Sequence, residues 1–141
     1  MTTLADLDGS RFAGIAELWL DPTGDQVERS DFTLAVDGTT VSYTRSHDGK
    51  GQSGSIAVVG ESAEFVDTFH SPEAMKCEAV SGARGLFQLE GRYGPDSDWG
   101  WRIGLSFRTP TGELVLQMTN IAPWGEEARA VRMVRRLAPT P

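Results

Sequence analysis

Among the side chains that could make or break bonds, His70, Asp67 and Cys77 stand in the most suggestive surroundings. His70 closes the segment FVDTFHS, just before Ser71 and Pro72. An imidazole ionises near neutral pH, so it suits acid–base work. A general acid–base also needs a partner that orients it, and no second residue is spaced to serve. The same histidine equally suits a strand end, bonded to a carbonyl or to water. Asp67 lies between Phe65 and Phe69 in an alternating pattern, on the opposite face from His70 in a regular strand. If that face points inward, its carboxylate needs a donor, because a bare buried charge is costly. Arg102 and Arg92 are the expected partners. Such a pair either orients the polar end of a ligand or serves as a structural ion pair.

The other reactive types carry less. Cys77 in AMKCEAV has no second cysteine and no neighbouring base, so it reads as an inert thiol. Two distant histidines, His47 and His70, and one cysteine have no metal-ligand spacing. His47 falls in the glycine-rich HDGKG and is expected to be solvated. The glycines form no phosphate-binding motif. No metal or cofactor is expected, and no catalytic residue is assigned.

The elements that must position these residues are strands. Apolar residues alternate over short runs, with Gly, Pro, Asp and Ser punctuating them every 8–12 residues, the spacing of an all-β sandwich or barrel. The expected strands are Arg11–Leu20, Asp31–Val36, Thr39–Arg45, Ser53–Val59, Ala63–His70, Met75–Val80, Leu86–Tyr93, Trp99–Phe107, Glu113–Ile121 and Ala128–Leu137. Asp37-Gly38 is a hairpin signal. Further turns are expected at 21–24, 47–51, 81–83, 94–97, 109–112 and 122–125. Short connections imply an antiparallel up-and-down meander, and closing it removes exposed edges. Thr3–Leu7 and Pro72–Lys76 are the helical candidates, with Pro72 expected to break strand pairing. EEARAVRMVRR is rich in helix formers and offers a rival helix for the last strand. The expected architecture is therefore all-β, an antiparallel up-and-down barrel of about ten strands in a single domain, residues 1–141.

The segments GKGQSGSIAV, FVDTFHS and LEGRYG, with the closing alternating strand, resemble the lipocalin-like family DUF1579, of the calycin-type barrels. The likeness follows strand order over most of the chain and identity only in short patches. RFAGIAELW stands where that family begins F-x-G-x-W-x-G, but Ile15 and Ala16 follow Gly14 and Trp19 comes late. His70 stands where an acidic residue is expected. The resemblance implies a lipocalin-like barrel with an internal cavity and no particular chemistry. Nitrobindin-type haem barrels are a second comparison. Their glycine–tryptophan–glycine opening is missing here, and His70 alone supports haem.

In DSDWGWRIGLSF, residues 96–107, five large apolar side chains fall on one face: Trp99, Trp101, Ile103, Leu105 and Phe107. Small or polar residues such as Arg45, Ser53, Gly85 and Gly91 are expected beside them. Large against small fills a tapered barrel, and incomplete filling leaves a pocket. Trp99 and Trp101 are expected to wall that pocket, with Ile103, Leu105 and Phe107 as closed core below. Tyr43, His70, Met118 and Asn120 complete the expected ligand-binding set. A fully packed interior is the alternative.

Composition narrows the partners. The 141 residues carry 13 basic and 20 acidic side chains, a net charge of −7. Nucleic acid and anionic membranes are therefore not expected partners. Arg129, Arg132, Arg135 and Arg136 are expected on a solvated face, paired with acids such as Glu113 or Glu90. The opening MTTLADLDGSR is not a secretory signal, no apolar run is long enough to span a membrane, and one cysteine permits no internal disulfide. A cytoplasmic protein is expected. The functional expectation is a binder of a small apolar or amphipathic ligand. The alternatives are an enzyme using the same cavity with His70 as acid–base, a haem barrel, and a dimerising module that pairs through Trp19 or Trp124.

Overall fold

The computed structural model describes residues 3–19, 27–68, 71–80, 85–93, 98–108 and 111–135. Ten strands close into one antiparallel up-and-down barrel. They are β1 (Arg11–Trp19), β2 (Val27–Asp37), β3 (Thr40–His47), β4 (Lys50–Val59) and β5 (Ser62–Asp67), then β6 (Ser71–Ala79), β7 (Phe87–Arg92), β8 (Gly100–Arg108), β9 (Glu113–Ile121) and β10 (Glu127–Arg135). Each strand pairs with its sequence neighbours, and β10 closes on β1 through Gly14↔Arg135 to Leu18↔Val131. EARAVRMVR is thus a strand, not a helix. Its β-branched and long apolar residues complete the core, and pairing on both sides outweighs its helix propensity. The expected turns at 21–24, 81–83 and 94–97, residues 109–110, and His70 itself lie outside the described residues.

One end of the barrel is plugged. A 3-10 turn, Ala5–Leu7, lays Leu7 over it. Gly9 N–H donates to Val36 O at 2.7 Å, and Gly38 N–H donates to Asp8 Oδ1 at 2.7 Å. These bonds tie the plug to the β2–β3 hairpin, whose Gly38 takes φ 61°. Above the plug the interior is apolar and buried: Val36, Val41, Ile56, Leu105, Leu114 and Leu116 among others. Alternation on β8 sends Trp101, Ile103 and Leu105 inward, as the pattern predicts, whereas Phe107 is only partly buried.

Pro72–Lys76 is strand rather than helix. Between Phe65↔Met75 and Asp67↔Ser71 the register slips, with one residue on β5 facing three on β6. Pro72 sits in this bulge. A bulge is where a sheet tolerates a residue without an N–H.

Candidate functional site

At the opposite end of the barrel the interior turns polar. Tyr43 on β3, Gly54 on β4 and Asp67 on β5 are consecutive cross-strand partners on the inner face. Gly54 has no side chain, so the Tyr43 ring crosses above it and its hydroxyl donates to Asp67 Oδ2. A Cβ at Gly54 would lie 2.5 Å from Tyr43 Cζ. Arg45, two residues beyond Tyr43 on the same face, brings Nη2 to 3.8 Å from the same Asp67 oxygen. Both side chains of this ion pair are fully buried. Asp67 is therefore interior, as its flanking phenylalanines suggest, but its cation is Arg45 rather than Arg102 or Arg92. Arg102 projects outward, with Nε 2.8 Å from Glu90 Oε1 and Nη1 bonded to Glu127. On β10, Arg132 lies 3.7 Å from Glu17, not against Glu113 or Glu90, while the side chain of Arg135 and all of Arg136 lie outside the described residues.

Four of the expected ligand residues share this region. Tyr43 Oη stands 4.0 Å from Met118 Sδ. Trp101 pairs across the ladder with Asn120, stacks on Phe65 at 5.9 Å between ring centroids, and meets the edge of Tyr93 at 5.7 Å. Tyr93 Oη donates to Asn120 Oδ1 at 2.7 Å. Trp101 and Met118 are completely buried within the continuous core cluster. Trp99 is a correction to the expected wall: it is 44% exposed and packs against Trp124 at the rim. It precedes β8, so the inward alternation does not bind it. His47 is also corrected: it is half-buried, with Nδ1 3.1 Å from Glu28 Oε1.

Burial, and then the charge of Asp67, push the Tyr43 hydroxyl well above the usual tyrosine range. Burial and Asp67 raise Tyr93 in the same way. Both phenols therefore remain protonated donors at neutral pH.

The barrel wall opens beside this cluster. Among the described residues, β6 and β7 pair only through Cys77↔Gly91, Glu78↔Glu90 and Ala79↔Leu89. Toward this polar end, Ser71–Lys76 and Arg92–Tyr93 diverge and leave a cleft of about 880 Å³. The Pro72 bulge starts the divergence. Gly91 sits at its apex, where a Cβ would fall 2.8 Å from both Cys77 Sγ and Met75 Sδ. Tyr93, Met75 and Ser71 line the cleft with the charged rim residues Glu73, Lys76 and Arg92. Ser71 is the ladder partner of Asp67, so the cleft runs alongside the polar cluster. The opening is thus lateral, between two strands, rather than bounded by the Trp99–Trp101 face.

Arg45 was legible in principle, because it shares parity with Val41 and Tyr43. The cleft was not, because its cause is a register slip between strands. Among the described residues no cluster of three His, Cys, Asp or Glu side chains is placed to hold a metal ion. Among the same residues no helix is long and apolar enough to cross a membrane. No protein-family model matches the chain, and no curated protein matches it.

Proposed function

We propose that the barrel binds a small apolar or amphipathic molecule, admitted through the β6–β7 cleft. The observation that carries this reading is the cleft itself, with Tyr93 and Met75 on its inner side and the Tyr43–Asp67–Arg45 cluster alongside. Its volume of about 880 Å³ falls in the range of small-molecule sites. Its lining is mixed in the manner of such sites: apolar surface for burial, with a few oriented polar groups for direction. The Tyr93 hydroxyl, which donates its proton to Asn120, presents an oriented acceptor oxygen. Membership of the lipocalin-like DUF1579 family belongs to the same proposal and rests on the segments Gly49–Val58, Phe65–Ser71 and Leu89–Gly94. A reducing cytoplasm as the working compartment is proposed from the single cysteine, buried Cys77.

The test is native mass spectrometry of freshly purified protein, followed by titration with the environment-sensitive dye N-phenyl-naphthylamine. A retained small molecule and saturable dye binding are expected. Ala74→Trp narrows the cleft from its exposed side and should weaken the dye at least about tenfold, or about 1.4 kcal/mol. Undiminished dye binding by Ala74→Trp would remove the cleft from the proposal. Absence of any dye binding by the native chain would remove the ligand.

A further inference from the structure

Among the described residues, four large apolar side chains stand exposed: Ile15, Val59, Trp99 and Trp124. Trp99 and Trp124 meet at the rim opposite the plug with ring centroids 5.6 Å apart and planes at 76°. Two perpendicular indoles form a corner with two aromatic walls. Trp124 is 71% exposed and Trp99 44%, so broad ring surface faces solvent.

The corner is built rather than incidental. Gly100 pairs with Ile121, which sets Trp99 beside the start of the β9–β10 turn that carries Trp124. That turn is pinned by Gly125 N–H to Ala122 O at 2.9 Å and by Ala122 N–H to Glu126 O at 2.8 Å. Tyr93 N–H reaches Trp99 O at 3.3 Å and anchors the other wall. Trp124 Nε1 donates to Glu126 Oε2 at 2.9 Å, fixing the indole and setting a carboxylate at its edge. Ordering these rings before a ligand arrives lowers the entropic cost of binding.

The chemistry that fits two indole faces and a carboxylate is a cation with a greasy surface. Indole is the best of the aromatic faces for a cation, and quaternary ammonium groups are the ligands that such cages select. They carry positive charge and apolar methyl groups, and they have no N–H that would demand an acceptor. The molecule already uses this attraction once: the Arg129 guanidinium lies 4.9 Å from the centroid of the Trp19 ring. A net charge of −7 favours the approach of cations generally. We propose that Trp99, Trp124 and Glu126 form a rim site for a quaternary ammonium group. The site is separate from the β6–β7 cleft and does not depend on it.

The experiment is tryptophan-fluorescence titration of the full chain with choline and, in parallel, with its neutral tert-butyl analogue. Choline is expected to give a saturable change with a dissociation constant on the order of millimolar, and the neutral analogue none in that range. Trp124→Ala should weaken choline at least about tenfold and Trp124→Phe less, while Glu126→Gln should weaken it about threefold, with the difference disappearing at high salt. Trp124 and Glu126 lie in an exposed turn, so these variants are expected to fold, and unchanged circular dichroism checks it. Sedimentation with phosphatidylcholine vesicles, lost in Trp124→Ala, assigns the group to a lipid head. Choline binding without sedimentation assigns it to a free solute. Equal binding of choline and its neutral analogue overturns the proposal, as does choline binding that survives Trp124→Ala. Absence of any choline response in the native chain overturns it too, and leaves the dye test of the cleft standing.

Discussion

The two ends of this barrel use the same ten strands differently. At the plugged end the inner residues are apolar, the 3-10 turn covers them, and neighbouring strands stay in register. At the opposite end two inner positions are glycine, one strand bulges around a proline, and a charged pair is buried with a tyrosine. A sheet that needed only stability has no reason to bury Arg45 and Asp67. Apolar residues of the same size stabilise as well without the desolvation cost. The difference sets apolar packing at one end of the barrel and the buried polar cluster with the cleft at the other. The register of β5, β6 and β7 marks the boundary, and the recognition proposed above belongs to the polar end.

Asp67→Ala should test that division hardest. It leaves Arg45 buried beside an unpaired Tyr43 hydroxyl, and a loss of about 3–5 kcal/mol is expected in urea unfolding. Arg45→Met with Asp67→Leu should recover most of that stability while dye binding stays impaired. Full recovery of both would mean that the cluster has no part in recognition. At the plugged end, Leu105→Ala should cost about 2–5 kcal/mol by opening a cavity, with dye affinity unchanged once the protein is folded. Lost affinity in folded Leu105→Ala would blur the separation of the two ends.

Gly54→Ala probes the boundary itself. The new methyl meets the Tyr43 ring, so a cost of about 1–3 kcal/mol is expected. Combination with Tyr43→Ala should relieve that clash, so the two effects should not add. Additive losses would show that the ring does not lie over Gly54.

Alkaline pH gives the smallest effect. Burial, and then Glu78, push the Cys77 thiol from its ordinary value near 9 up to about 11. Tyr43 and Tyr93 move in the same direction. An acid whose folded pKa is raised holds its proton more tightly when folded. Its stabilising contribution is full below the unfolded pKa and is lost as pH rises through the folded one. Melting temperature should therefore be flat up to about pH 9 and fall above it, less steeply in Cys77→Ala. A rise in stability across that window would contradict the burial of these groups.

The strand pattern shows which parts of this protein a sequence can carry. Alternation with period two identifies each strand and its inner face from neighbouring residues alone. The ten strands, the antiparallel meander and the inward set Trp101, Ile103 and Leu105 were therefore legible in the chain. So were Asp67 as an interior carboxylate and Tyr43, Trp101, Met118 and Asn120 as one neighbourhood. Closure followed from the number of strands and the cost of unpaired edges.

Which residue faces which across strands is a different kind of fact. That Arg45 rather than Arg102 answers Asp67 depends on a register spanning β3, β4 and β5. That Gly54 lies beneath Tyr43 depends on the same register. The β6–β7 cleft depends on a slip at Pro72 that local propensity reads as a helix start, and the Trp99–Trp124 corner depends on the start of β8 meeting the β9–β10 turn at the rim. Local sequence determined the strands and their faces, because backbone sterics and alternation act between neighbours. The tertiary structure alone decided the pairs, the opening and the aromatic corner, because those arise where segments distant in the chain come into contact.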